Sequence, residues 1–553
     1  MTHARQASPT VARVAIPQAR ALHTDPVGAP PPEVRVPALD APRRTWLDPL
    51  VVGIVVLIVG VSILDGVPVG GYFDDGMYVV LAKALATGHG YHWLNLPGYP
   101  AATHFPPGYP FVLSLLWRVF PSFPGNVIVF KAANIVFLAC SAAGVAIFAR
   151  RRVGLPRWGA VAVALSASLG LPTLILGTQV MSEPFFLALL FPTLLFAERI
   201  ADGDRRIGAI VALGVAVGLV TLVRTHGIAI AAGVGIVLLL RRRIRDAAIF
   251  SATVVAMVLP WQIWSRLNER SIPDALGGTY ESYTTWLAHG FRDLGPSLIV
   301  HTVTGVAGEI GALFALLAAP SMPRDVKLAA IAVVVGLFLL GMRRLWATTQ
   351  VTSIFVIVYL SIVLLWPFTP VRFIWGMWPL LFLLPVLGAL EIARWRPRSL
   401  VPRAARLAAM ACALLVAAGY GRYTRRAYAG HWWSSLARRN ADAARPLVQW
   451  VRTHTPPDAV VASNYEPMVY LYGNRMAVPA ARFTVRDYFR SPTAAESAEA
   501  LRAILGLYHV DDVAVVSLDS VRVALQNMAN EATPELVLVD QLPNGMIYSP
   551  AHR

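Results

Sequence analysis

The chain has 553 residues, a hydrophobic fraction of 56%, a charged fraction of only 14% and a mean hydropathy of +0.57. That balance excludes an ordinary soluble protein and predicts an all-α polytopic membrane protein. The net charge of +17 does not call for nucleic acid, because the arginines fall in short clusters between apolar runs. These are Arg150, Arg151 and Arg152; Arg205 and Arg206; Arg241, Arg242, Arg243 and Arg245; Arg343 and Arg344; and Arg394, Arg396, Arg398, Arg403 and Arg406. Such clusters mark cytoplasmic loops under the positive-inside rule.

Residues 1–44 are rich in Pro, Ala and Arg and lack an apolar core, which predicts a disordered cytoplasmic tail without a cleavable signal. With the basic clusters held inside, residues 51–64 lead out into a long first external loop, 65–126. Residues 127–148 return, 158–177 lead out towards Glu183, and 185–200 return. Residues 207–223 lead out to Arg224, 227–240 return, and 247–264 lead out to a polar loop carrying Tyr280, Tyr283 and Trp286. Two apolar stretches break this alternation. Residues 109–120 are too short for a hydrocarbon core of ~30 Å, and 298–319 carry His301 and Glu309. Both are expected to lie on or dip into the external surface. Spans at 328–342, 351–367, 373–392 and 407–420 complete a set of about eleven, with the N-terminus inside and the C-terminus outside. They form a transmembrane domain over residues 45–421.

From residue 422 the composition changes, and residues 422–553 read as a small extracytoplasmic α/β domain. A helix through Gln449, Trp450 and Val451 ends at Pro456-Pro457, and strands are predicted at 459–462, 513–516, 535–539 and 546–548. The only cysteines, Cys140 and Cys412, sit in apolar runs and suggest neither a disulfide nor a metal site.

This alternation gathers the isolated polar residues on the external face. They are Asp74 and Asp75, His104 before Pro106-Pro107, Glu183 in Met181-Ser182-Glu183-Pro184, Arg224 in Leu222-Val223-Arg224-Thr225-His226-Gly227, and Arg372 in Pro370-Val371-Arg372-Phe373. Acids and lone arginines at a membrane surface carry a cost that invites a functional reason. One chemistry uses them together: transfer of a sugar from a lipid phosphate. An external Asp serves as base to the acceptor hydroxyl, and Arg224 and Arg372 clamp the leaving phosphate. No Walker or Rossmann glycine fingerprint argues for a nucleotide-sugar site. The chief rivals are a lipid-linked-sugar transporter or flippase, which the two arginines suit equally, and a catalytically silent scaffold.

Phe73-Asp74-Asp75-Gly76-Met77-Tyr78, followed by Ala82 to Gly90-Tyr91 and then His104-Phe105-Pro106-Pro107-Gly108-Tyr109-Pro110, resembles the first external loop of the GT-C superfamily. That group comprises polyprenyl-phosphate-sugar glycosyltransferases, among them protein O-mannosyltransferase-like and aminoarabinose-transferase-like enzymes. Ser182-Glu183-Pro184-Phe185, the Arg224 turn and Arg372-Phe373 with Pro379 resemble later elements in the same order. The resemblance implies that Asp74 is catalytic, that Asp75 tunes or orients it, and that Arg224 and Arg372 bind the donor phosphate. It implies that Glu183 helps bind the acceptor, or a divalent metal where one is used. No cofactor is certain, and metal use stays open. His104 stands where relatives often have Glu or Lys, and Phe373 replaces a usual Tyr. The expected partners are a polyprenyl-phosphate sugar, a glycan, lipid or protein acceptor, and membrane lipid, in the plasma membrane of a bacterium, with no nucleic acid.

Overall fold

A computed structural model of the protein describes residues 47–320, 322–396, 399–516 and 519–551. The expected N-terminal tail lies outside them. The described residues all fall within one compact unit. Long apolar runs with few charges fold into helices because a helix satisfies its own backbone where water is scarce. Among the described residues, six of these helices are long and apolar enough to cross a membrane: Val127–Arg151, Glu183–Ala201, Ile244–Ser271, Ser297–Ala318, Arg324–Thr348 and Leu400–Ala429. A seventh candidate is a pair, Arg157–Ser168 and Leu171–Thr178, bent by 54°. The bend falls where the second helix restarts with a proline in its first turn. Among the described residues, four shorter apolar helices accompany them: Leu47–Ser62, Ile207–Val223, Thr225–Leu240 and Gln350–Leu365. Ser297–Ala318 is not among the about eleven spans expected, and the expected span at 373–392 corresponds to the shorter helix Trp378–Arg394.

At one end of the bundle the basic clusters share the few acids. Asp48 accepts from Arg150 and Arg157, Asp204 from Arg199 and Arg206, and Asp202 from Arg152. Arg406 donates to the carbonyls of Ile392 and Ala393 at that end. The other end carries the long loops. Helix Gly108–Val119 packs there on helix Asp74–Ala86, and Arg118 donates to the Leu85 carbonyl. Ser297–Ala318, expected on the surface, is long and apolar enough to span. Leu298 packs with Trp286 and Val485. Glu309 accepts from the Tyr488 hydroxyl at 2.7 Å. Beyond its last turn, the Pro320 carbonyl accepts from Arg422.

Helix Leu400–Ala429 runs through the expected domain boundary at residue 421. Helix Trp432–His454 follows, with Ala437, Ala441, Ala444, Leu447 and Val451 buried along one face. A five-stranded sheet comes next: β1 (Val460–Ser463), β2 (Met476–Pro479), β3 (Asp512–Val516), β4 (Leu536–Leu542) and β5 (Gly545–Pro550), in the order β2-β1-β3-β5-β4. β1 runs parallel to β2 and β3, while β5 is antiparallel to β3 and β4. Four of the five strands coincide with those predicted from the sequence. β2 carries no such signal because it is four residues long and ends in Pro479.

Candidate active site

Asp74 follows a strained turn. The Asp74 amide donates to the Tyr72 carbonyl at 2.8 Å, and Phe73 between them has φ 63° and ψ −69°. This is the rare γ-turn, sterically costly for a residue with a side chain, and such strain persists only where the surroundings impose it.

Two things impose it. The first is Asp75, fully buried, whose Oδ1 accepts from the amides of Tyr72 (3.1 Å) and Gly76 (3.0 Å) on either side of the turn. Burial pushes its carboxyl up to about 6, against the pull of these amides and of the Lys131 charge. The second is the C-terminal part of the chain. Gly71 lies so close to the helix Trp432–His454 that a Cβ on it would come within 2.8 Å of the Ala437 carbonyl. A Cβ on Gly76 would come within 2.6 Å of Pro467. Asn440 donates to the Gly71 carbonyl at 2.8 Å, Tyr472 hydroxyl accepts from the Val69 amide at 3.0 Å, and Arg438 pairs with Asp65. The loop is thus pressed against backbone contributed by residues far along the chain.

From this turn Asp74 enters an ionic network drawn from four distant segments. Arg372 donates from Nη1 to Asp74 Oδ2 at 2.6 Å, and from Nη2 and Nε to Glu183 Oε1 at 3.1 and 3.3 Å. Arg224 Nη1 approaches the same Glu183 oxygen at 2.9 Å and donates to Ser182 Oγ at 2.9 Å. Ser182 Oγ also meets the Tyr78 hydroxyl at 3.1 Å. Local sequence places each piece. Pro184 starts helix Glu183–Ala201 and leaves Glu183 in its first turn. Arg224 caps helix Ile207–Val223 in an extended conformation. Arg372 sits in a five-residue helix, Val371–Trp375, because the expected span at 373–392 is interrupted before Trp378–Arg394.

The network has a closed back and an open front. Glu183 is wholly buried and the Arg224 side chain nearly so, whereas Asp74 and Arg372 each keep a quarter of their side-chain surface exposed. Phe373 packs the back: His226 stacks on it at 5.0 Å, Arg224 lies 5.8 Å over its face, and its carbonyl accepts from the Tyr359 hydroxyl at 2.7 Å. A tyrosine is therefore unnecessary at 373 for the packing.

His104 does not join the ions. Its Nδ1 bonds the Glu281 carbonyl at 2.7 Å, and its ring meets Tyr283 at 4.3 Å and Phe105 at 4.7 Å. Burial holds its imidazole below the ordinary value. Of the aromatics in the long loop, Tyr283 alone faces this region. Tyr280 is fully buried against Asn95 and Glu466, and Trp286 packs on Phe483. Asp75, adjacent in sequence to Asp74, points away from the ions into the turn.

Ser182 and Tyr78 also belong to the network, although the sequence marked them only as members of longer motifs. Among the described residues no three His, Cys, Asp or Glu side chains form a group able to hold a metal ion. Asp74 and Glu183 are already engaged by guanidinium groups, so the donor set does not fit a divalent cation and no step is assigned to one.

No family model matches the chain, and no curated protein does. Among solved structures, it is similar to ArnT from Cupriavidus metallidurans bound to undecaprenyl phosphate, at 13% identity over 91% of this chain and 97% of that one, with a TM-score of 0.46. It is similar to the archaeal oligosaccharyltransferase AglB from Archaeoglobus fulgidus in complex with an inhibitory peptide and a dolichol-phosphate, at 14% identity over 85% and 69%, with a TM-score of 0.48. The arabinofuranosyltransferase AftD from Mycobacteria aligns at 16% identity over 91% and 40%, with a TM-score of 0.38.

Proposed function

We propose that the protein is an integral membrane glycosyltransferase that moves a sugar from a polyprenyl-phosphate donor to a hydroxyl of an extracytoplasmic glycan, lipid or protein. The observation that carries this reading is the convergence of Asp74, Glu183, Arg224 and Arg372 into one network, open to solvent only at Asp74 and Arg372. In the proposed step Asp74 accepts the acceptor's hydroxyl proton while that oxygen bonds to the anomeric carbon. The bond from that carbon to the phosphate oxygen breaks, and the electron pair leaves on the phosphate. The phosphodiester, with one negative charge, departs as a polyprenyl phosphate with two, and the extra proton rests on Asp74. Direct displacement of this kind inverts the anomeric centre. Arg372 and Arg224 offset the growing phosphate charge, a task that fixed cations in a sheltered site perform well.

Glu183 then serves as the buried counter-ion shared by the two guanidinium groups, and Asp75 as the brace of the turn. His104 and Tyr283 border the acceptor side. The proposed setting is a bacterial plasma membrane, with about eleven spans, the N-terminus cytoplasmic, and residues 422–553 with the site outside.

A transfer assay tests this. Membranes with wild type or Asp74→Asn receive labelled polyprenyl-phosphate sugars and a crude envelope acceptor. Label should reach the acceptor with wild type only. Equal transfer by both would remove Asp74 from the chemistry. Failure of wild type with every donor, in membranes that translocate the lipid, would favour the transporter reading.

A further inference from the structure

The two guanidinium groups of the site are already matched by two carboxylates. Arg224 lies on Glu183 and Ser182. Arg372 lies on Glu183 through Nε and Nη2 and on Asp74 through Nη1. The Glu183 contacts form the closed back of the network, and Glu183 is buried completely. The 2.6 Å contact between Arg372 and Asp74 is its exposed edge. An anion arriving from the open side therefore meets the Asp74–Arg372 pair first.

Asp74 is also occupied as it stands, because Arg372 Nη1 already donates to its Oδ2. The base and the phosphate clamp compete for one group.

We infer that the donor's phosphate displaces Asp74 from Arg372, so that binding of the donor itself releases the base. This inference rests on the proposed transfer reaction and adds an order to it. In the resting protein Asp74 is restrained, with Arg372 closing the front of the site. When a lipid phosphodiester takes the Nη1 side of Arg372, that guanidinium keeps its two bonds to Glu183, which preserve its position. Asp74, still fixed in direction by the Phe73 turn and by Asp75, is then free to receive the acceptor's proton. An acceptor that arrives without donor meets a masked base.

The exchange predicts that Asp74 weakens donor binding, the opposite of what a simple bystander base would do. Binding of a synthetic undecaprenyl phosphate is measured on the full-length protein in lipid nanodiscs, for wild type, Asp74→Asn, Asp74→Glu and Arg372→Ala. Thermal melts check that each variant is folded. Removing the competing charge should tighten binding in Asp74→Asn by about tenfold, the order expected for freeing one charge-assisted hydrogen bond at a partly exposed site. Asp74→Glu keeps the competitor and should stay near wild type, and Arg372→Ala should lose binding. Equal affinities for wild type and Asp74→Asn would overturn the exchange, since the phosphate would then use the N–H groups of Arg372 that Asp74 and Glu183 leave unused. That result would leave the proposed transfer reaction standing. Binding by none of the folded variants would overturn both.

Discussion

Replacing Glu183 with glutamine isolates the part of the site that cannot be seen from outside. One oxygen of this side chain serves Arg224 at 2.9 Å and Arg372 at 3.1 Å. Glu183 has no exposed surface and the Arg224 side chain retains only 8%. Glutamine keeps the volume and one carbonyl acceptor but removes the charge, which leaves the buried Arg224 without its carboxylate counter-ion. Breaking a buried pair by neutralising one member costs about 3–5 kcal/mol, most of it the stranded charge. At 1.4 kcal/mol per factor of ten, that lowers the folded-to-unfolded ratio by roughly two to three and a half orders of magnitude. The assay is reversible unfolding of the purified protein in mixed micelles, titrated with a denaturing detergent and followed by tryptophan fluorescence. Glu183→Gln combined with Arg224→Gln removes the stranded charge as well, and should recover a substantial part of the loss, a non-additivity that neighbouring charges show. A single variant within about 0.5 kcal/mol of wild type, or a double variant as unstable as the sum of its parts, would refute the picture of a buried counter-ion.

Asp75→Ala should cost about 2–4 kcal/mol, because the Tyr72 and Gly76 amides lose their acceptor beneath the turn. It should also abolish transfer although Asp75 never faces the substrate, and the same unfolding titration with the transfer assay checks both. The raised carboxyl of Asp75, about 6 against 3.8, gives a pH signature of defined sign. Between pH 6 and 4 the folded protein holds a proton that the unfolded chain has released, so this residue adds stability as pH falls, by on the order of 3 kcal/mol across the window. Unfolding of wild type relative to Asp75→Asn at pH 7 and pH 4 measures it, and a difference that shrinks on acidification would contradict the burial. Gly71→Val inserts side-chain atoms against the Ala437 carbonyl and should lower turnover at least tenfold while polyprenyl phosphate still binds. Loss of binding in step with turnover would argue that the loop also shapes the clamp.

The four ionic residues of the site were legible in the sequence for a physical reason. A lone arginine or acid outside the basic clusters of a membrane protein is costly enough to stand out, and Glu183, Arg224, Arg372 and Asp74 all did. Which of two adjacent aspartates faces the site came from the motif resemblance and not from the local pattern, because successive residues at a helix start point in directions about 100° apart and either could turn inward. The structure decides it through the Phe73 turn, and Phe73 gives no warning, since positive φ is usually announced by glycine or asparagine. Ser182 and Tyr78 stayed hidden in their motifs because a hydroxyl carries little cost anywhere and acquires meaning only from its neighbour. In the same way the pairs Gly71–Ala437 and Gly76–Pro467 depend on segments too far apart in sequence for any local pattern to connect. The sheet was largely readable from its apolar strands, whereas Ser297–Ala318, expected on the surface, has the length and hydropathy of a span.

The packing of Gly71 has a bearing on how the protein comes into being. The Asn440 side chain that holds the Gly71 carbonyl lies 369 residues further along the chain, and Pro467, beside Gly76, comes later still. During synthesis the loop with Asp74 is therefore delivered long before the surfaces that bend it exist. The contacts that press on the loop come only with the last quarter of the polypeptide. On the proposed reaction, a copy arrested before residue 437 would lack the surface that aims its base.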